Sequence, residues 1–221
     1  LDRLKLNHGD RLLEIGCGWG GFAERALDRA RIDYVGLTLS EEQAAWAQPR
    51  LPRHRASISL TDYRDVKGNY DAIASIEMVE AVGAEYWPAY LAKIHSLLKS
   101  RGRAVIQYIS IDDRLFERYA ASADFIQTYI FPGGLLISES RFRALAEEAG
   151  LHWRDQHNFG QHYATTLRLW RERFDAAVEE GRLPSAFDEK FVKLWRYYLM
   201  YCEGGFAGGG IDVAQVTLVK K

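Results

Sequence analysis

Glycine at every second position behind an apolar strand is the feature that most constrains this chain. Arg11-Leu12-Leu13-Glu14-Ile15 runs into Gly16-Cys17-Gly18-Trp19-Gly20-Gly21, and a helical stretch follows from Phe22 to Leu27. Glycine has no Cβ and tolerates positive φ, so a strand–turn–helix unit of this kind lets backbone approach a nucleoside-bearing ligand closely. The spacing is G-x-G-x-G rather than the G-x-G-x-x-G of dinucleotide sites, and the lysine of a phosphate-binding loop is missing. A nucleoside without phosphates suits such a turn, which makes S-adenosylmethionine (SAM) the leading ligand. A nicotinamide dinucleotide, or a glycine turn serving only tight strand–helix packing, are the alternatives.

The order of elements extends this unit into a sheet. Strands are predicted at Arg11–Gly16, Asp33–Leu37, Ala56–Leu60, Tyr70–Ile76 and Arg103–Ile109, with helices at Gly21–Arg29, Glu41–Leu51 and Ala84–Leu98. Strands alternating with helices predict right-handed βαβ units and a mostly parallel sheet with helices on both faces. Lys99-Ser100-Arg101-Gly102 reads as a helix stop, basic and then glycine. Beyond Ile109 the pattern changes. Ile111–Ala123 is amphipathic, Phe131-Pro132-Gly133-Gly134 breaks the chain, and Glu139–Ala149 is a further helix ending at Gly150. Tyr163–Gly181 is long, polar and aromatic, and Phe187–Tyr201 is an aromatic-rich helix. Gly204–Gly210 reads as a loop and Ile211–Lys221 as a terminal strand at an antiparallel edge. The fold expected is α/β, a Rossmann-like class I SAM-dependent methyltransferase domain.

Composition narrows the function classes. The chain has 221 residues, 48% hydrophobic and 27% charged, which suits one globular domain with a sizeable core. A formal net charge of −1 carries no electrostatic footprint for nucleic acid. The two cysteines, Cys17 and Cys202, do not form a disulfide framework in this reading, and a reducing compartment fits them. No apolar run reaches transmembrane length, no signal peptide is expected, and no Cys/His spacing suggests a metal. The expected location is therefore cytoplasmic.

In open α/β sheets the ligand lies over the carboxyl ends of the strands. That rule gathers Glu14, Gly16, Cys17, Gly18 and Gly20 with Thr38, Asp62 and the stretch Glu77–Glu80 around one crevice. No acid ends the second strand to meet ribose hydroxyls, so Thr38, Leu39 and Gln43 are the candidates there. Ser40 reads as the cap of the following helix, with Glu41 and Glu42 favouring its N-terminal dipole. After the third strand, Asp62 can accept from an adenine amino group and Tyr63 can stack on the ring.

Several of these motifs fall in order along the whole chain. They are Glu14-Ile-Gly-Cys-Gly-Trp-Gly-Gly21, Gly36-Leu-Thr-Leu-Ser-Glu-Glu-Gln43, Asp62-Tyr-Arg-Asp65, Met78-Val-Glu80, Tyr129-Ile-Phe-Pro132, Asn158-Phe-Gly160 with Tyr163, and Tyr198-Leu199 with Cys202. Together they resemble the cyclopropane-fatty-acyl-phospholipid synthases and mycolic acid methyltransferases. The glycine motif is shared by many methyltransferases; the Tyr-Ile-Phe-Pro and Asn-Phe-Gly-x-x-Tyr elements with the late cysteine are more specific.

The resemblance implies transfer of a methyl group from SAM to a cis double bond of an unsaturated acyl lipid, with peripheral contact at the inner face of a membrane. It implies a bound bicarbonate as base, and by matching motifs it carries Glu80, Ile109, Tyr163 and Cys202 over as its surroundings. It also implies an apolar acyl tunnel walled by Phe131-Pro132 and the helices from Tyr163 onward, with acyl-substrate insertions across about 110–210. The family's helices preceding the first strand have no counterpart in 1–221. Two departures stand out. Gln107 takes the place of the usual histidine and cannot become cationic. Glu77 adds a carboxylate where glycine is common. Methyl transfer follows from the resemblance; ring closure is one outcome of it and a methylene- or methyl-branched product is the alternative. A methyltransferase for another lipophilic small molecule, or a SAM-binding relative without catalysis, are further alternatives.

Overall fold

A computed structural model describes residues 1–221. The elements in chain order are β1 (Arg11–Ile15), α1 (Gly21–Arg29), β2 (Asp33–Leu37), α2 (Glu41–Ala47), β3 (Ala56–Ser59), β4 (Tyr70–Ile76), α3 (Val79–Val82), α4 (Trp87–Leu97), β5 (Leu98–Ile111), α5 (Asp113–Ala120), α6 (Phe125–Tyr129), β6 (Ile137–Ser138), α7 (Glu139–Glu148), β7 (Leu151–Asn158), α8 (Gly160–Glu179), α9 (Glu189–Ala207) and β8 (Ile211–Lys220). Contacts divide the chain into two compact units, one of Leu1–Tyr108, Ser140–His157 and Gln215–Lys221, the other of Ile109–Glu139 and Asn158–Ala214.

The first unit is built on a sheet ordered β3-β2-β1-β4-β5-β8-β7. Pairings β1–β2, β1–β4, β2–β3 and β4–β5 are parallel. Leu12, Leu13, Glu14 and Ile15 of β1 are all buried, as expected of a central parallel strand covered on both faces. Leu12, Ala23, Ala26, Leu27 and Tyr34 form one core layer between β1, β2 and α1. Ser40 caps α2 by accepting from the Gln43 backbone N–H at 3.1 Å. Ser40→Ala should lower stability by about 1 kcal/mol, the usual worth of such a cap, readable as a shift in the urea midpoint at unchanged slope.

Several boundaries differ from the sequence reading, each for a physical reason. The helix expected to Leu51 ends as α2 at Ala47 and continues as a 3-10 turn, Gln48–Arg50, because Pro49 removes a donor and restricts the residue before it. The helix expected from Ala84 is a 3-10 turn over Ala84–Tyr86 and then α4, which starts at Trp87-Pro88. Lys99–Gly102 is no helix stop. It lies within β5 as an irregularity, between the pairings Tyr70↔Leu98 and Ala72↔Arg103, with Arg101 at φ +63°. The terminal strand is not the edge: β8 sits between β5 and β7, and β7 takes the edge position. β7 carries no strand signal in its sequence because only Leu151 is buried in a run otherwise rich in polar residues.

The second unit packs α8 and α9 around Leu167, Leu199, Phe206 and Val213. Asp212 ties its strand to the start of α8, accepting from Gly160 N at 2.7 Å and from Asn158 Nδ2 at 2.9 Å. The expected loop at Gly204 is in fact the last part of α9, and Gly205 is there because a Cβ would lie 2.9 Å from Ile211 Cδ1. The amphipathic stretch expected from Ile111 begins as the end of β5 and becomes α5 at Asp113, capped by Asp112. No helix is long and apolar enough to cross a membrane.

Candidate functional site

The glycine turn joins β1 to α1 with Gly16, Gly18 and Gly20 all at positive φ (+79°, +52° and +84°). Gly16 has no room for a side chain, since a Cβ would overlap Met78. At Gly20 a Cβ would lie 2.9 Å from the Ala47 Cβ. At Gly18 no atom lies within 4 Å of where a Cβ would be. The turn is pinned by Cys17 N donating to Leu37 O at 2.7 Å and Gly20 N to Cys17 O at 3.0 Å.

Beneath it lies Glu14, only 2% exposed, whose carboxylate accepts the phenol hydrogen of buried Tyr34. Burial raises the Glu14 carboxyl to about 7, against the lowering effect of the tyrosine bond. Burial and then the Glu14 charge push the Cys17 thiol up to about 11, so it is a protonated packing group at neutral pH. Tyr34 was not among the sequence candidates. Its place depends on Gly36, where a Cβ would lie 2.6 Å from the Tyr34 hydroxyl and 2.9 Å from Cys17 Cβ.

At the end of β2, Thr38 Oγ1 donates to Gln43 Oε1 at 2.6 Å and accepts from Ser40 N at 3.1 Å. The structure thus brings Thr38 and Gln43 together, with Leu39 projecting into solvent beside them, 74% exposed. Asp62 is bound by Arg64, which donates Nε to Oδ1 at 2.9 Å and an Nη to Oδ2 at 2.7 Å. Those bonds hold the Asp62 carboxyl below its usual range. Its acceptor capacity toward an adenine is shared with the guanidinium. Tyr63 meets buried Tyr90 edge to face, ring centroids 5.5 Å apart.

The end of β4 carries a second constellation. Glu77 has φ +55°, a left-handed conformation unusual for a residue with a Cβ. Its N–H donates to Gln107 O at 2.8 Å. Its Oε1 accepts from Gln107 Nε2 at 2.8 Å, and Gln107 Oε1 accepts from Gln215 Nε2 at 2.9 Å. The Gln107 amide, which takes the place of the family's usual histidine, is therefore turned onto a carboxylate. Gln215 was not foreseen. Glu80 is half-buried on α3; burial raises the phenol of Tyr90, the Glu80 charge adds to that, and the Tyr90 hydroxyl donates to Ser75 at 2.8 Å.

In the second unit, Ile109, Tyr163 and Cys202 belong to one cluster with Phe159, Trp195 and Tyr198. Tyr163 packs against Phe159 and Phe206, at centroid distances of 5.8 and 5.4 Å. Burial, with a smaller contribution from Asp124, raises the Cys202 thiol to about 11. Of the expected acyl wall, Trp195 and Tyr198 pack into this cluster while Phe131 stays 58% exposed.

Known proteins resemble this arrangement along its full length. The family model described as mycolic acid cyclopropane synthetase matches residues 1–216. The tuberculostearic acid methyltransferase UfaA1 of Mycobacterium tuberculosis is 42% identical over 100% of this chain and 52% of its own length. The cyclopropane-fatty-acyl-phospholipid synthase of Escherichia coli is 37% identical over 98% of this chain and 55% of its own. This chain thus spans about half the length of these curated relatives. Among solved structures, the mycolic acid cyclopropane synthase CmaA1 complexed with SAH and CTAB superposes with a TM-score of 0.90 at 31% identity, covering 99% of this chain and 81% of that one. The cyclopropane synthase MmaA2 from M. tuberculosis gives 0.89 at 29% identity with the same coverage.

Proposed function

The chain belongs to the mycolic acid cyclopropane synthetase family, and we propose that it is a SAM-dependent C-methyltransferase acting on the double bond of an unsaturated fatty acyl chain. The observation that carries this is the glycine turn beside a family match over residues 1–216. The turn suits SAM: positive-φ glycines bring backbone close, and at Gly18 the space where a side chain would stand is clear. Thr38 and Gln43 offer a hydroxyl and an amide for ribose, and Tyr63 an aromatic face for adenine. Glu14 braces the turn from below.

When bound, SAM supplies an electrophilic methyl group. An alkene is a weak nucleophile, so what the protein contributes is alignment. In the first unit Glu80, half-buried on α3, is the carboxylate that the family resemblance assigns to the active site. In the second, Ile109, Tyr163 and Cys202, which the resemblance carries over, lie among aromatic side chains suited to an acyl chain. The lipid would be reached by peripheral contact with a membrane surface.

Bicarbonate, which the family resemblance brings with it, fits these residues poorly. An anion at Gln107 would meet the Glu77 carboxylate, and both ends of the Gln107 amide already have partners at 2.8 and 2.9 Å.

Mass spectrometry of phospholipids from cells expressing the protein should show acyl chains heavier by one CH₂ unit, formed at the expense of monounsaturated species. SAM consumption on a soluble acceptor with no change in the lipids would overturn the acyl reading.

A further inference from the structure

We propose, resting on the methyltransferase reading above, that Glu77 is this protein's own proton acceptor, held in place by Gln107 and Gln215, and that the reaction needs no bicarbonate. Three observations meet at this residue. Its backbone is left-handed at φ +55°, where a non-glycine residue is held against its preference. Strained residues of this sort persist only where neighbours over-determine them. Here the backbone is tied by Glu77 N to Gln107 O and the side chain by Gln107 Nε2 to Glu77 Oε1, both 2.8 Å. Gln215 fixes the amide orientation, since Gln107 Oε1 accepts from it at 2.9 Å and the nitrogen is left to face Glu77.

Position is the second observation. β4 runs beside β1, with Ser75 opposite Ile15, so Glu77 emerges next to the glycine turn. Met78, its neighbour in the chain, fills the space over Gly16. The third is access. Gln107 and Gln215 line a cavity of about 260 Å³ with Phe22, Ala74, Ile76 and Val105, and with Leu1, Leu4 and the charged Asp2 and Arg3. The Glu77 carboxylate lies 2.8 Å from that lining amide, at a site with both an apolar wall and exposure to solvent. The unusual residues at 77 and 107 are then one device. A glutamate supplies the negative charge, and a neutral amide holds it without neutralising it. A histidinium at 107 would pair with the carboxylate and weaken it as a base.

The step balances. The methyl carbon–sulfur bond of SAM breaks with its pair going to sulfur, and the alkene π pair forms the new carbon–carbon bond. A Glu77 oxygen then takes a proton from the added methyl group. The pair left by that C–H bond closes the ring, and the proton passes from exposed Glu77 to water. Gln107 and Gln215 are positioning residues in this scheme.

Glu77→Gln and Glu77→Gly separate charge from folding. The glycine variant relieves the positive φ, so its unfolding midpoint should not fall. Both should lose about 10²-fold or more in kcat on vesicles of monounsaturated phospholipid, with SAM affinity by calorimetry changed less than about twofold. The wild-type rate should be the same in buffer stripped of carbon dioxide as with bicarbonate added. Added formate or bicarbonate should restore part of the Glu77→Gly rate. ¹³C-bicarbonate should show line broadening with Glu77→Gly and none with the wild type. A Glu77→Gln enzyme at full rate, or a wild type that stalls without bicarbonate, would overturn the assignment while leaving the methyltransferase reading intact. A wild type that binds SAM and adds no CH₂ unit to any unsaturated lipid would overturn that reading and take this inference with it.

Discussion

Gly18→Val is expected to weaken SAM binding by about 10²-fold or more, roughly 3 kcal/mol, in a protein that still folds. The glycines of the turn have different reasons to be there. Gly16 and Gly20 are demanded by the protein itself, because side chains there would collide with Met78 and Ala47. Gly18 has no such neighbour: its missing Cβ faces open space. What it keeps clear is the approach to the turn. Valine at φ +52° adds backbone strain of about 1–3 kcal/mol, and Gly18→Ala carries much of the same strain with a smaller side chain. Comparing the two separates strain from obstruction. Both should lower the thermal midpoint, while SAM affinity should fall further for valine. Undiminished affinity in calorimetry of Gly18→Val would remove the turn from the SAM site. Gly16→Ala should fail differently, by destabilising the fold, and Met78→Ala in the same chain should recover part of that loss.

This contrast also shows what the sequence can and cannot disclose. The glycine spacing, the buried run Leu12–Ile15 and the Ser40 cap each carry a local signal, so the first half of the sheet was legible. β7 carries none, because an edge strand with little buried surface need not alternate. The glycines at 204 and 205 look like a loop yet lie in α9, and only the tertiary structure shows that a Cβ at Gly205 would lie 2.9 Å from Ile211 Cδ1. In the site, residue identity was readable but conformation was not. Glu77 was visible as an extra carboxylate, yet its left-handed backbone depends on Gln107, 30 residues further along the chain. Asp62 seemed open to a ligand, although Arg64 two residues on takes both its oxygens. Tyr34 read as an ordinary strand aromatic. Periodicity predicts that such a side chain is buried, not which atom its hydroxyl meets.

That hidden tyrosine bears on a second large effect, the pH dependence set by Glu14. An ordinary glutamate titrates near 4.5, and burial lifts Glu14 to about 7 in the folded chain. Between those values the folded state keeps a proton that the unfolded chain has released. The stability Glu14 contributes is therefore fully present below pH 4.5, is lost as pH rises toward 7, and is level above that. A shift of this size corresponds to about 3 kcal/mol. Other groups titrate in the same window, so the measurement is a difference. Urea unfolding of the wild type and of Glu14→Gln, from pH 4.5 to 8.5, should give curves that diverge with rising pH, the variant gaining about 3 kcal/mol relative to the wild type by pH 8. Tyr34→Phe should act in the opposite sense at high pH. It removes the donor that favours the ionised carboxylate, raising the Glu14 pKa further and deepening the loss above neutrality. Parallel curves for wild type and Glu14→Gln would mean that Glu14 is ionised in the fold and that the Tyr34 bond outweighs burial. On the proposed SAM site, the retained proton has a functional reading. SAM carries a sulfonium and an ammonium, and an ionisable carboxyl beneath the turn lets the protein hold a neutral group when empty and an anion when a cation arrives. SAM affinity should then rise across the same pH window, and that rise should flatten in Glu14→Gln.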